Sequence, residues 1–122
     1  MKPVIRIKRV YEKSSKEDGV RILVDGLWPR GMKKEEVEMR EWVKDLSPSS
    51  ELRTWFGHDP ERWPEFQKRY RTELKKNEAV AGFVEKYEDA KIITLLYGAK
   101  DEQHNHALVL QEYLEQLYKN SR

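Results

Sequence analysis

The sequence predicts an α/β fold in one domain spanning residues 1–122: a small, mainly parallel sheet of about four strands covered by helices. Two observations carry this expectation. Ile92 to Tyr97 is almost continuously apolar, the pattern of a strand covered on both faces. Stretches with helical spacing of apolar residues lie between and after the strand-like runs, and strands separated by helices favour parallel pairing. With 122 residues the chain can bury one core. Its 38% hydrophobic and 11% aromatic content is too apolar for disorder, although 38% of it is charged.

Val4-Ile5-Arg6-Ile7 reads as the first strand, Glu12 to Gly19 as a polar connection, and the β-branched Val20-Arg21-Ile22-Leu23-Val24 as a buried second strand. Arg9 to Gly19 barely supplies the dozen or so residues of a parallel crossover, so the direction of the first strand stays open. Lys33 to Arg40 is expected as a short helix, and Trp42-Val43 with Leu46 as a weaker strand. Ser47-Pro48 is expected to cap a helix that places Leu52, Trp55 and Phe56 on one face, and Asp59-Pro60 repeats that signal. Trp63, Phe66, Tyr70 and Leu74 then form one apolar stripe. A further helix starts near Asn77 and carries Val80, Phe83, Val84 and Tyr87. The last starts between Asp101 and Asn105 and turns Ala107, Leu110, Leu114, Leu117 and Tyr118 inward.

Composition narrows the function classes. The absence of cysteine excludes a disulfide framework, a cysteine nucleophile and cysteine-ligated metal. No apolar run approaches the roughly 18–20 residues of a membrane span, and no long apolar stretch follows Met1-Lys2-Pro3-Val4, so a cytoplasmic protein with no signal peptide and no membrane partner is expected. The net charge is only +2, which gives a nucleic-acid partner little support. No phosphate loop, Gly-x-Gly-x-x-Gly or serine elbow occurs, so the common nucleotide and hydrolase signatures are absent and any cofactor stays unknown.

Two segments leave strand ends with chemistry-bearing residues, and in open α/β sheets ligands bind beyond the carboxyl ends of strands. Asp25-Gly26-Leu27-Trp28-Pro29-Arg30-Gly31 mixes an acid, glycines, a proline, an arginine and a tryptophan in a way core burial does not require. Tyr97 to His106 is a strand–turn–helix junction whose helix start offers unpaired N–H groups. If the two strands are neighbours, both loops face one crevice, with Lys8, Arg9, Lys44 and Ser47 near its rim. An anionic, perhaps phosphorylated small molecule is the expected partner. Trp28, Arg30, Gly31, Tyr97, Lys100 and His104 are the candidate binding residues, and Asp25 and His106 the candidate proton carriers.

Each of these residues also has a plainer reading. Asp25 serves equally as a turn acceptor, Trp28 as a rim aromatic, and Arg30 as half of an ion pair. His104 and His106 lie roughly 200° apart on a helix, so one metal held by both is not expected. His106 falls on the apolar arc, which suits a buried, hydrogen-bonded imidazole, and His58 precedes the Asp59 cap. No metal site is assigned. A basic run, Lys68, Arg69, Arg71, Lys75 and Lys76, offers the alternative of a nucleic-acid or protein-binding module. It reads more simply as the solvated face of an amphipathic helix, interleaved with Glu65 and Glu73.

One family matches these blocks together. Asp18-Gly19, Leu23-Val24-Asp25 with Leu27-Trp28-Pro29-Arg30-Gly31, Trp55-Phe56-Gly57-His58-Asp59-Pro60 with Arg62-Trp63, and Leu95-Leu96-Tyr97 with Lys100-Asp101 and His104-Asn105-His106-Ala107 resemble the YeaO-like family of uncharacterised bacterial proteins. The resemblance runs over nearly the whole chain. It implies a small intracellular α/β domain without a settled activity. It also implies an arginine where this chain has Gly26, which weakens a two-arginine anion clamp. Longer relatives carry a cysteine where Tyr97 or Asn105 aligns, so cysteine chemistry does not transfer.

Overall fold

The computed structural model describes residues 2–120. One sheet holds β1 (Val4–Arg9), β2 (Val20–Leu23), β3 (Glu41–Trp42) and β4 (Ile92–Tyr97), in the order β1-β4-β2-β3. Every neighbouring pair is parallel, which fixes the direction of the first strand. The β1–β2 connection is too short for a helix and carries only a 3-10 turn at Lys16–Asp18. It suffices because it crosses a single strand, β4, which lies between β1 and β2.

Strand alternation sorts the side chains onto two faces. Ile5, Ile22, Val24, Ile93, Leu95 and Tyr97 pack in one core with residues of α1 (Ser50–Phe56), α2 (Trp63–Lys76), α3 (Ala79–Lys86) and α4 (His106–Asn120). On the opposite face Leu23 and Leu96 pack with Val10 and Val37, and Trp28, Met32, Met39 and Trp42 close over them. Helices therefore cover one face only, and irregular chain covers the other. The continuous apolar pattern of β4 is satisfied by both: Ile93 to Tyr97 is buried throughout.

Several local expectations shift. Lys33 to Arg40 forms no α-helix, only a 3-10 turn at Lys34–Glu36. Val37 and Met39 then both reach the sheet at a spacing of two, as extended chain allows and a helix does not. β3 is Glu41–Trp42 rather than Trp42-Val43, and Leu46 is a buried residue ending a 3-10 turn at Lys44–Leu46. Ser49, not Ser47, caps α1: its hydroxyl accepts from Leu52 N at 3.1 Å and donates to Glu73 of α2 at 2.7 Å. That bond to α2 fixes the cap two residues later than the Ser-Pro signal suggested. Asp59 caps a 3-10 turn at Pro60–Arg62, which leads into α2. Asn105 caps α4, accepting from Leu108 N at 3.1 Å, so the helix itself begins at His106.

The crossover is anchored by charge rather than by apolar packing. Asp18 bonds Arg21 and Lys8, both projecting from the face away from the helices, and Thr94 of β4 donates to the Asp18 carbonyl at 2.6 Å. Burial pushes the Asp18 carboxyl up, but hydrogen bonds from Ser15 N, Lys8 and Arg21 outweigh it and hold the group below the usual range. At Gly19 the chain turns with φ +63°, and a Cβ there would strike the Ile92 carbonyl. Asp18→Ala strips the nearly buried Arg21 of its carboxylate and should cost roughly 3–5 kcal/mol in urea-denaturation measurements. Lys8→Met, at a more exposed position, should cost about 1 kcal/mol or less.

Candidate functional site

The ends of β2 and β4 meet at one side chain. Asp25 Oδ2 accepts from Gly98 N at 2.9 Å, joining the loop after β2 to the loop after β4. A Cβ at position 98 would lie 2.9 Å from that oxygen, so glycine permits the approach. His106, the first residue of α4, places Nε2 3.1 Å from the Val24 carbonyl and 3.3 Å from Asp25 Oδ1. Asp25 Oδ1 is fully buried and has no hydrogen-bond partner of good geometry. The imidazole thus donates to the backbone carbonyl and stands beside the carboxylate.

Burial controls both titrations. It raises the Asp25 carboxyl above its ordinary value, against the opposing pull of His106, the Gly98 N–H, Arg53 and His58. It lowers the His106 imidazole, while Asp25 and the Val24 carbonyl pull the other way and Arg53 and His58 lower it further. The two values move toward each other, as expected for a carboxyl–imidazole pair removed from water.

Above this pair opens a cleft of about 870 Å³. Both loops singled out in the sequence line it. Asp25, Trp28, Arg30, Lys100 and His106 reach it, whereas Gly31, Tyr97 and His104 do not. Gly31 shapes the turn with φ +81°. Tyr97 follows the same strand parity as Leu95 and is buried under the helices. His104 Nδ1 lies 2.9 Å from Asp101 Oδ2, and its ring meets Trp63 edge-on. His104 and His106 therefore face different partners, and no group of three or more potential metal ligands converges among the described residues.

Some expected rim groups are engaged elsewhere. Lys8 is held by Asp18, and Lys44 lies 4.3 Å over the Trp42 ring. Three N–H groups around the α4 start are also occupied, those of Gln103 and His104 by Asp101 Oδ1 and that of Leu108 by Asn105. On the basic helix, Arg69 pairs with Glu65 and Arg71 with Glu112, which neutralises part of that face.

Arg53 and His58 are among the lining residues that sequence reasoning missed. Arg53 Nη1 donates to Ser47 Oγ and the Pro48 carbonyl, each at 3.3 Å. Its guanidinium lies against the backbone of Gly26, where any Cβ would collide with Nη1. His58 follows Gly57 at the end of α1, and both adopt left-handed backbone (φ 58° and 53°), which turns the chain back toward the cleft. Arg9 lines it too, with Nε donating to the Ala99 carbonyl at 2.9 Å. Among the described residues, Arg9, Arg30, Arg53 and Lys100 form no ion pair, and no serine or threonine lines the cleft.

Fold and cleft together define a small parallel α/β domain with a cation-lined cleft at the carboxyl ends of its strands. The chain belongs to the inactive DUF488-N3 subclade, whose family model matches residues 4–122. It is 42% identical over 113 residues to the uncharacterized protein YeaO of Escherichia coli K12, covering 93% of this chain and 98% of that relative. It is 39% identical over 110 residues to the uncharacterized protein Rv3073c of Mycobacterium tuberculosis H37Rv, covering 90% and 92%. The same figures hold for the uncharacterized protein Mb3100c of Mycobacterium bovis. The resemblance to the YeaO-like family is thereby established. No solved structure matches the chain. No helix among the described residues is long and apolar enough to cross a membrane.

The electrostatics give a signed test by NMR. With its folded value depressed, His106 contributes stability fully above its unfolded value of about 6.5, and that stability is lost as pH falls through the folded value. The imidazole should be less than half protonated at pH 6.5. Because the Asp25 charge raises it, Asp25→Asn should move the His106 titration to still lower pH. A move upward would refute the electrostatic coupling.

Proposed function

We propose that this protein binds an anionic small molecule, carrying a carboxylate or a phosphate, in the cleft between residues 25–31 and 98–106, in the cytoplasm. The observation that carries the reading is the charge of the lining. Arg9, Arg30, Arg53 and Lys100 approach one cleft with no carboxylate paired to any of them among the described residues. Asp25 and Asp101 are the two acids there, and Asp25 is resisted by burial in taking its negative charge. Uncompensated guanidinium groups beside a low-dielectric wall are a strong attractor for carboxylate or phosphate.

Binding without turnover is the form of this reading that the surroundings favour. The family is described as inactive. The buried position of Asp25 Oδ1 and the engagement of His106 Nε2 with the Val24 carbonyl also leave the pair better placed to hold the two loops than to exchange protons with a ligand.

A thermal-shift screen of carboxylates, sugar phosphates, nucleotides and metal ions tests the reading. A matching anion at about 100 times its Kd should stabilise the fold by about 2.7 kcal/mol. Arg53→Gln and Arg30→Ala should retain the fold and weaken that anion by about ten-fold or more each. Parent-like affinity in both variants would contradict the proposal.

A further inference from the structure

Resting on the anion-binding reading above, we propose that the ligand is an aryl anion: an aromatic ring bonded directly, or through one or two atoms, to a carboxylate or phosphate held by Arg53. The size of the cleft points first in this direction. A volume of about 870 Å³ lies in the range of small-molecule pockets, roughly 300–1,000 Å³, and an inorganic anion would leave most of it unfilled.

The distribution of polarity around Arg53 supplies the second argument. Arg53 and Phe56 both line the cleft from α1, three residues apart. Side chains at that spacing share a helix face with Cβ atoms about 5–6 Å apart. An anion bound by the guanidinium therefore carries its attached body onto the Phe56 side of the cleft. Phe56 is stacked on Phe66 with ring centroids 4.3 Å apart, and both lie in the floor. Leu27, 71% exposed and the most exposed large hydrophobic residue among those described, lines the same cleft. Trp28 and Pro29 continue that apolar lining. A flat ring suits a lining that combines stacked aromatics with exposed apolar side chains, and it would cover the Leu27 side chain that water now surrounds.

The guanidinium is also preset for the head group. Its Nη1 is fixed by Ser47 Oγ and the Pro48 carbonyl and backed by the Gly26 backbone. No carboxylate competes for it among the described residues.

Calorimetric titration of the full chain with four probes tests the proposal: inorganic phosphate, phenyl phosphate, benzoate and benzyl alcohol. Phenyl phosphate or benzoate should bind at least about ten-fold tighter than inorganic phosphate, and benzyl alcohol at least about ten-fold more weakly than the better aryl anion. Preference between the two aryl anions identifies the head group. Arg53→Gln should weaken the aryl anion by about ten-fold or more. The exposed Leu27→Ser, which leaves the core untouched, should weaken it several-fold without changing the affinity for inorganic phosphate. Equal affinity for inorganic and phenyl phosphate would overturn the aryl proposal and leave the anion reading standing. Benzyl alcohol binding as tightly as the aryl anions would overturn it as well. If neither these probes nor any anion in the wider screen binds, the anion reading falls and takes this proposal with it.

Discussion

The Asp25 carboxylate is the tie on which the site depends. It joins the end of β2 to two points much later in the chain, the glycine after β4 and the first residue of α4. One oxygen satisfies the Gly98 N–H, the other stands beside an imidazole that itself bonds the Val24 carbonyl. A parallel sheet sets the strand ends side by side, but it does not dictate how the loops beyond them are held. Here a buried acid performs much of that task, with Arg9 and His106 adding bonds to the backbone. Its discomfort in a low-dielectric position is moderated by the groups it holds together.

The sheet beneath is supported in two unlike ways. On one face the aromatic stripe of α2 and the inward side of α4 make an ordinary helix-on-sheet core. On the other, apolar loop residues and the Asp18–Lys8–Arg21 group divide the surface between them. The buried charges lie where the crossover passes the sheet, and the apolar cover lies toward the strand ends that carry the cleft. Trp28 belongs to both regions: it packs against Trp42 at 5.2 Å, donates to the Met32 carbonyl at 2.6 Å, and also lines the cleft.

Much of this architecture could be read from residue patterns. β4 was legible because six successive apolar or β-branched residues suit only a strand enclosed on both faces. The loops after β2 and β4 stood out because their residue types serve no packing purpose. The errors have physical causes. Lys33 to Arg40 has the charge of a surface helix, but tertiary packing of Val37 and Met39 sets an extended spacing. Tyr97 was placed in the site because it ends a strand, whereas strand parity turns it into the core. Arg53 gave no sign of its position: an arginine on an amphipathic helix looks the same whether it meets water or a cleft, and the seating of α1 decides which. His58 was more accessible, since a glycine followed by histidine, then Asp-Pro, marks a helix end that reverses the chain.

The space beside Gly26 has a consequence for how such chains can diverge. Arg53 Nη1 occupies the position that a Cβ of residue 26 would take. A side chain at 26 would therefore push aside the far end of Arg53, so the two positions share one volume in this part of the cleft. A lineage gaining a side chain at 26 must move or lose the arginine at 53. The reverse exchange, to a glycine at 26 with the helix supplying the charge, keeps a cation in the cleft while changing the direction from which it arrives. The glycine is thus as much a part of the charge arrangement as the arginine it admits.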